Sequence, residues 1–163
     1  MRLALGKLKT FLYALLACLV LIGSFVFFRA ANVSHLSAWK GERTFFLDSA
    51  SSQALVKAKL SLLDIFRVKG ESVQIPIGEF DGGRYANKEN IDGQVRDKIA
   101  RVIADTYGAY PVLKESVCGV DSYYFCANEL PMGIDIDGKK VNLHVAVTDE
   151  FVTIGTPIIF GGF

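Results

Sequence analysis

The sequence predicts an α+β fold: an N-terminal transmembrane helix, then a curved antiparallel sheet with two helices packed on one face. Three observations predict it. Phe11 to Phe28 contains no charged residue, two later segments repeat apolar residues at helical spacing, and apolar and polar residues alternate after Tyr110. The resulting order β-α-β-α-β-β-β-β is typical of a sheet that is covered by helices on one side.

The uncharged segment has the length of a membrane span. Its 18 residues form a helix of about 27 Å, close to the thickness of the hydrocarbon core. Arg2, Lys7 and Lys9 precede it, and the first acidic residue is Glu42. Because basic residues stay on the cytoplasmic side, the sequence predicts a cytoplasmic N-terminus and a C-terminal domain outside the cell membrane.

The segment is expected to remain as a signal anchor. Cleavage after Ala30 or Ala31 would place Phe28 or Arg29 where a signal peptidase requires a small residue. Cys18 follows a sequence similar to a lipoprotein box, but the apolar run continues beyond it. We therefore interpret Cys18 as an ordinary residue of the membrane helix.

Length and charge divide the chain into three parts: residues 1–29 (cytoplasmic tip and anchor), 30–41 (juxtamembrane linker) and 42–163 (extracytoplasmic α+β domain). The last part is long enough for one hydrophobic core. Outside the anchor the chain has 14 basic and 17 acidic residues. An acidic domain outside the cytoplasm is a poor partner for a polyanion, so nucleic-acid binding is not expected.

The first half of the domain reads as strand, helix and strand. Residues 43–48 are aromatic and predict a strand. Leu55, Ala58, Leu62 and Phe66 then recur at helical spacing and predict the first helix. Residues 72–77 alternate and predict a second strand, which Pro76 places at an edge or at its end.

The second half begins with a glycine-rich loop, Gly78 to Asn90. Asn90 is a candidate N-cap for a second helix, and Gly108 is a candidate stop. Its apolar face would contain Ile91, Val95, Ile99, Val102, Ile103 and Tyr107. Four strands are predicted after it, at residues 111–118, 122–128, 140–148 and 151–160.

The C-terminal part resembles a known family. Val141 to Val147 (VNLHVAV), followed by Val152 to Ile159 (VTIGTPII), is similar to the end of the YwmB family. These are secreted or anchored envelope proteins of Firmicutes with a TATA-box-binding-protein-like fold, and Ala104 to Ala109 fits the same order. The resemblance implies an envelope location and this fold, but it assigns no activity to any residue.

Cys118 and Cys126 are the cysteines outside the anchor, in a compartment that permits oxidation. A disulfide between them is one interpretation. A tight turn at Gly119 to Asp121 would place Cys118 opposite Ser122, about 13 Å from Cys126, so the bridge would require a wider loop or sheet curvature. The alternative is two half-buried thiols that pack as small apolar residues.

The face of the sheet carrying Ser122, Tyr124 and His144 is the predicted contact surface. Alternation places Tyr124 on the same face as Ser122, and a sheet face with tyrosine and histidine suits a protein or peptide partner. No catalytic, metal or cofactor residues are predicted, because His144 has no second histidine beside it in the domain.

The sequence therefore favours a membrane-anchored interaction or regulatory module of the cell envelope that is not an enzyme. Its expected partners are the lipid bilayer, through residues 11–28, and an envelope protein. Two alternatives remain open at this point: a cell-wall hydrolase that uses His144, and an envelope ligand-binding domain in which residues 78–90 act as a lid.

Overall fold

A computed structural model of the chain describes residues 2–31, 33–48, 54–57, 60, 64–86, 91–131 and 133–160. Its helices are α1 (Arg2–Ala31) and α2 (Gly93–Thr106), and short 3-10 turns lie at Asp64–Phe66 and Phe80–Gly83. Its strands are β1 (Glu42–Leu47), β2 (Ala54–Lys57), β3 (Val68–Pro76), β4 (Tyr110–Val117), β5 (Val120–Cys126), β6 (Ile134–Ile136), β7 (Lys139–Val141), β8 (Leu143–Val147) and β9 (Phe151–Thr156).

Seven strands form one antiparallel sheet in the order β2-β1-β3-β9-β8-β5-β4, and β6 pairs with β7 in a separate hairpin. Helix α2 packs against β8 and β5, in the middle of one face. The α+β class, with an apolar N-terminal helix ahead of a curved antiparallel sheet, is confirmed. Strands β2 and β4 form the two edges of the sheet.

The first predicted helix of the domain is wrong in the described residues. Residues 54–57 form strand β2, which pairs with β1, and residues 64–66 form a single 3-10 turn. The rest of that predicted helix lies outside the described residues, apart from residue 60. Short apolar runs fit either a helix or a strand, and pairing with the neighbouring β1 decided this one.

The sheet face beside α2 is covered by irregular segments at residues 33–40 and 77–86. Leu36 is fully buried and Phe80 is 1 % exposed, and both belong to the main core. Trp39 stacks on Phe80 with ring centroids 5.5 Å apart, and Tyr85 packs on the other side of Phe80. The segment expected as a linker thus contributes to the core, while the domain boundaries themselves stay a prediction.

Helix α2 is the second predicted helix, and its boundaries follow local chemistry. Asp92 is the N-cap: its Oδ1 accepts a hydrogen bond from the Val95 backbone N–H at 2.8 Å. The predicted cap Asn90 lies outside the described residues. At the other end Gly108 has a φ of +55°, as a left-handed helix stop requires. Ile99 and Ile103 are fully buried beneath the helix.

The opposite face of the sheet is closed by the chain after β9. Phe160 packs on Phe46 of β1 with ring centroids 4.9 Å apart. Ile159 lies so close to Gly155 of β9 that a Cβ there would meet its side chain at 2.6 Å. Both faces of the central strands are therefore covered, which explains why all residues of β8 are buried.

Candidate functional site

The structure brings the three predicted contact residues together. Tyr124 of β5 and His144 of β8 are direct cross-strand partners. Ser122, two residues before Tyr124, pairs with Ala146 of β8. The rings of Tyr124 and His144 stack at 4.3 Å with an angle of 16° between their planes. These residues lie on the sheet face opposite α2, as alternation predicts.

That face is not the open surface that the sequence suggested. His144 is 4 % exposed and Ser122 is 8 % exposed, because the chain after β9 crosses this part of the sheet. The backbone N–H of Ile159 donates a hydrogen bond to Nδ1 of His144 at 3.3 Å. Tyr124 is half-buried, and its hydroxyl donates to the Glu115 carboxylate at 3.2 Å. The expected surface is thus mainly an internal packing layer.

Burial lowers the pKa of His144 from 6.5 to about 4. The cause is desolvation of the charged form, so the imidazole is neutral in the folded protein at neutral pH. A histidine that is 4 % exposed and covered by a chain segment is poorly placed to receive a substrate. The geometry fits a buried structural group that connects β8 to the chain after β9.

This shift predicts a pH-dependent stability. Above pH 6.5 His144 is neutral in both states and its full contribution is present. As the pH falls towards 4, the unfolded chain binds a proton that the folded chain does not, and the free energy of unfolding falls by about 3 kcal/mol. Denaturant unfolding at pH 7 and pH 4 measures the loss, which should shrink in His144→Gln. An equal pH dependence in both proteins would contradict this role.

The proposed disulfide is wrong for this fold. The two-residue turn between β4 and β5 is Cys118-Gly119, both with positive φ (51° and 81°), so Val117 faces Val120. Cys126 lies at the far end of β5, opposite Tyr110. Six residue steps separate Val120 from Cys126, about 20 Å, which is beyond the reach of a disulfide. Both cysteines are free; Cys118 is exposed and Cys126 is buried.

A groove lies between α2 and the edge strand β4. Its volume is about 720 Å³. The helix contributes Ala100 and Ala104, β5 contributes Phe125, and β4 contributes Pro111 and Leu113. Because α2 packs over β5 and β8, the small alanine side chains leave β4 uncovered at the rim of the helix. Pro111 pairs with Phe125 and is exposed on the groove side, whereas Leu113 pairs with Tyr124 and its side chain lies on the opposite face of β4.

Charged side chains form one end of this groove. Asp97 accepts hydrogen bonds from Lys114 Nζ at 2.7 Å and from the Tyr123 hydroxyl at 2.8 Å. The Lys114 ammonium holds the pKa of Asp97 below its usual value, while burial and Asp97 raise the pKa of Tyr123. Lys114 also lies 5.0 Å from the centroid of the Tyr123 ring. The groove thus combines an apolar floor with an ordered polar end.

Sequence reasoning missed this groove, although it contains two usable signals. Ala100 and Ala104 lie one helical turn apart, which is a small-residue stripe beside a large apolar face. Pro111 is an apolar residue in a strand whose burial pattern turned out to be almost entirely exposed. The position of β4 at the sheet edge was needed to identify it as a surface residue.

A second ordered feature joins the domain to the end of α1. Glu71 of β3 is 1 % exposed, and its carboxylate accepts hydrogen bonds from Ser34 Oγ at 2.8 Å and from the His35 backbone N–H at 2.9 Å. Arg43 of β1 forms an ion pair with the same carboxylate. Arg43 also donates to the backbone oxygens of Leu36 and Trp39. The first residues after the helix are therefore held firmly against the sheet.

Within the described ranges, no group of three or more histidine, cysteine, aspartate or glutamate side chains has a geometry that would hold a metal ion. Among the residues that the structure describes, one helix, at Lys9–Ala30, is long and apolar enough to cross a membrane, and it is not buried against the domain. A cleaved signal sequence has the same properties, so retention of the segment as an anchor stays a prediction.

Comparison with known proteins found no matching family, no matching curated protein and no matching solved structure. The resemblance of residues 141–159 to the YwmB family therefore stays a prediction.

Proposed function

We propose that this chain is a non-enzymatic interaction module of the cell envelope, anchored by α1 with its N-terminus in the cytoplasm and its domain outside. The observation that carries the proposal is the groove between α2 and β4. It has an apolar floor, an ordered polar end and the exposed Pro111 on an edge strand, which is the composition of a protein-binding surface.

The rim of the groove supplies the residues on which binding would depend. Pro111 of β4 is exposed and pairs with Phe125, so it lies on the sheet face that carries α2. Arg101 is exposed on the helix side of the groove. Apolar surface beside a pocket contributes to binding, because a partner removes it from water. The expected partner is an envelope protein that inserts an apolar side chain between Pro111 and the alanines of α2.

The rigid connection at Glu71 supports the same role. It holds residues 34–36 against β3, directly after the apolar helix. A domain fixed in this way presents its groove at a defined height and orientation above the membrane. A defined geometry lowers the entropic cost of binding a second membrane protein.

The two alternatives receive less support. A hydrolase would need His144 to be accessible, whereas it is buried and stacked on Tyr124. A ligand-binding lid at residues 78–90 would need to move, but Phe80 and Tyr85 are both buried in the main core. The resemblance to the YwmB family adds an envelope location of the Firmicutes type and no activity.

Cross-linking at Arg101 tests the proposed surface. A photoreactive phenylalanine analogue at this position should capture one recurrent envelope protein in intact cells, because Arg101 is exposed and lines the groove. The matched control places the same analogue at Lys98, an exposed position on α2 outside the groove. Pro111→Asp in the protein that carries the analogue at position 101 should remove the product, because it places a charge on the apolar side of the groove.

The proposal fails if position 101 gives no discrete product or the same products as position 98. If capture fails and His144→Ala abolishes a cell-wall-degrading activity of the purified protein, the hydrolase interpretation replaces it. If capture fails and bulky residues at Gly82 and Gly83 prevent binding of cell-wall fragments, the ligand-binding interpretation replaces it.

The exposed thiol of Cys118 tests the orientation. A membrane-impermeant maleimide should label it in intact cells, because Cys118 lies at the tip of the β4–β5 hairpin, whereas Cys126 is buried. Cys118→Ser should lose the label. Labelling of lysed cells gives the total amount of reactive Cys118 thiol, to which the labelling of intact cells is compared. Labelling that requires lysis would place the domain in the cytoplasm.

A further inference from the structure

We propose that the membrane-facing end of this domain rests in the bilayer interface and binds the headgroup of an anionic phospholipid. The site lies between the last residues of α1 and the start of β3, with Phe66 inserted beside the helix and Arg29 and Lys69 as the cationic ligands of the phosphate.

The first observation is a contact that sets the depth of the domain. Phe66, in the 3-10 turn at Asp64–Phe66, stacks on Phe25 of α1 with ring centroids 6.1 Å apart and an angle of 20° between the rings. Phe25 lies five residues before Ala30, the end of the apolar span, or about 8 Å along the helix axis. If α1 crosses the bilayer, Phe66 must therefore lie at the level of the outer acyl chains.

The second observation is the exposure of these aromatic rings. Phe66 is 43 % exposed, Phe25 is 60 % exposed and Phe28 is 67 % exposed. In water such a group of apolar side chains is unfavourable, whereas at the membrane boundary the same rings are buried among lipid. Their position around the emerging helix matches the depth that the stacking contact indicates.

The third observation is a cavity of about 430 Å³ directly above these rings. Its lining combines Phe28 and Phe66 with Arg29 and Lys69. Glu71 also lines it, but this carboxylate is already bonded to Arg43 and to the backbone after α1. The positive charges of the lining are thus not cancelled from within it.

The acidic groups near Lys69 leave its ammonium group available to bind a phosphate. Lys69 Nζ lies 3.4 Å from the Asp48 carboxylate, with the two side chains 60 % and 65 % exposed. An ion pair this open to solvent is weak and is easily exchanged for a phosphate. Asp64 lies at the start of the 3-10 turn that carries Phe66, and it already has an interaction partner.

An apolar base at acyl-chain depth with two cationic side chains above it complements a phospholipid. The acyl chains lie along Phe25 and Phe66, and the headgroup phosphate lies at the level of Arg29 and Lys69. Lysine and arginine at this level attract anionic lipids. The domain also has a fixed orientation relative to the membrane, since the Glu71 network and the inserted turn both hold it there.

Depth is measured with the full-length protein in vesicles that contain brominated lipids. Trp39 is the sole tryptophan, so Trp39→Phe with Phe66→Trp gives a single reporter. We expect bromines near the headgroup end of the acyl chain to quench it strongly. The control is Val117→Trp in the protein that carries Trp39→Phe. Val117 is 65 % exposed and lies beside the Cys118-Gly119 turn, at the end of the sheet opposite to the start of β3. Equal, weak quenching of both reporters would overturn the insertion.

Headgroup binding is measured by native mass spectrometry of the full-length protein released from detergent with equimolar phosphatidylglycerol and phosphatidylcholine. We expect a several-fold preference for phosphatidylglycerol, reduced to near parity in the double variant Arg29→Gln, Lys69→Gln. The control variant Lys98→Gln, Arg101→Gln removes the same charge from exposed positions on α2. Equal retention of the two lipids by the unaltered protein, or an unchanged preference in the double variant, would overturn the site.

Vesicle flotation separates this inference from the anchor and from the proposed groove. Protein that floats without quenching at position 66 is anchored but not inserted. Protein that does not float contradicts the anchor itself, whatever position 101 captures. Neither result depends on the identity of a protein partner.

Discussion

Replacing Glu71 with leucine is expected to lower the free energy of unfolding by about 3 to 5 kcal/mol, the usual cost of removing one partner from a buried ion pair. Glu71 is 1 % exposed and balances Arg43, whose side chain is 25 % exposed. The substitution also leaves the Ser34 hydroxyl and the His35 backbone N–H without their acceptor. The residues after α1 should then separate from the sheet.

Denaturant unfolding of the full-length protein in detergent measures this effect, with Trp39 fluorescence as the signal. Trp39 stacks on Phe80 within the segment that the Glu71 network holds, so it reports directly on the junction. Glu129→Leu, at an exposed position, is the matched control and should change stability little. An effect of Glu71→Leu as small as that of the control would show that the network does not stabilise the fold.

Ile99→Asp is expected to prevent the domain from folding. Ile99 is fully buried where α2 meets the centre of the sheet. A carboxylate there would have to be buried without a partner or neutralised, at a cost of more than about 4 kcal/mol. Small domains have a total stability of about 5 to 15 kcal/mol, so most of the folded population would be lost.

Limited proteolysis of membranes carrying the full-length variant measures this loss, because an unfolded domain is cleaved at many sites while α1 stays in the bilayer. The control is Lys98→Asp, one residue earlier on the exposed face of the same helix. A protease-resistant Ile99→Asp domain would contradict the packing of α2 on the sheet.

The regular parts of the fold were predictable because their patterns are unambiguous. Helix α2 repeats apolar residues over four turns and is followed by a glycine. The predicted Val95, Ile99 and Ile103 are buried, whereas the predicted Val102 is half-buried. The buried Arg96, Ala100 and Ala104 were not predicted. In β8, Leu143, Val145 and Val147 alternate with His144, as a paired strand requires. In both elements local preference and tertiary packing favour the same structure.

The predictions failed where a segment's environment decides its structure. The apolar residues near Leu55 fit a helix, but pairing with β1 makes residues 54–57 a strand. Cys118 was expected in β4, but a two-residue turn with positive φ at Cys118 and Gly119 shifts the register and places the two cysteines at opposite ends of β5. The alternation within each strand does not define how two strands pair, because the length and type of the turn set the register of a hairpin.

The candidate sites depended even more on the tertiary structure. The alternation correctly placed Tyr124 and His144 side by side, but it contained no sign that residues 157–160 would cover them. The groove exists because α2 lies over β5 and β8 and leaves β4 uncovered, a relation between elements that are distant in sequence.

By itself, the sequence determined the apolar helix, the acidic balance of the rest of the chain, helix α2 and the alternating strands, since each depends on neighbouring residues only. The tertiary structure alone decided which faces are covered, which cysteine is exposed, and that Glu71 joins the sheet to the end of α1. These features depend on contacts between residues far apart in the chain, and the free energy of such contacts is absent from any local pattern.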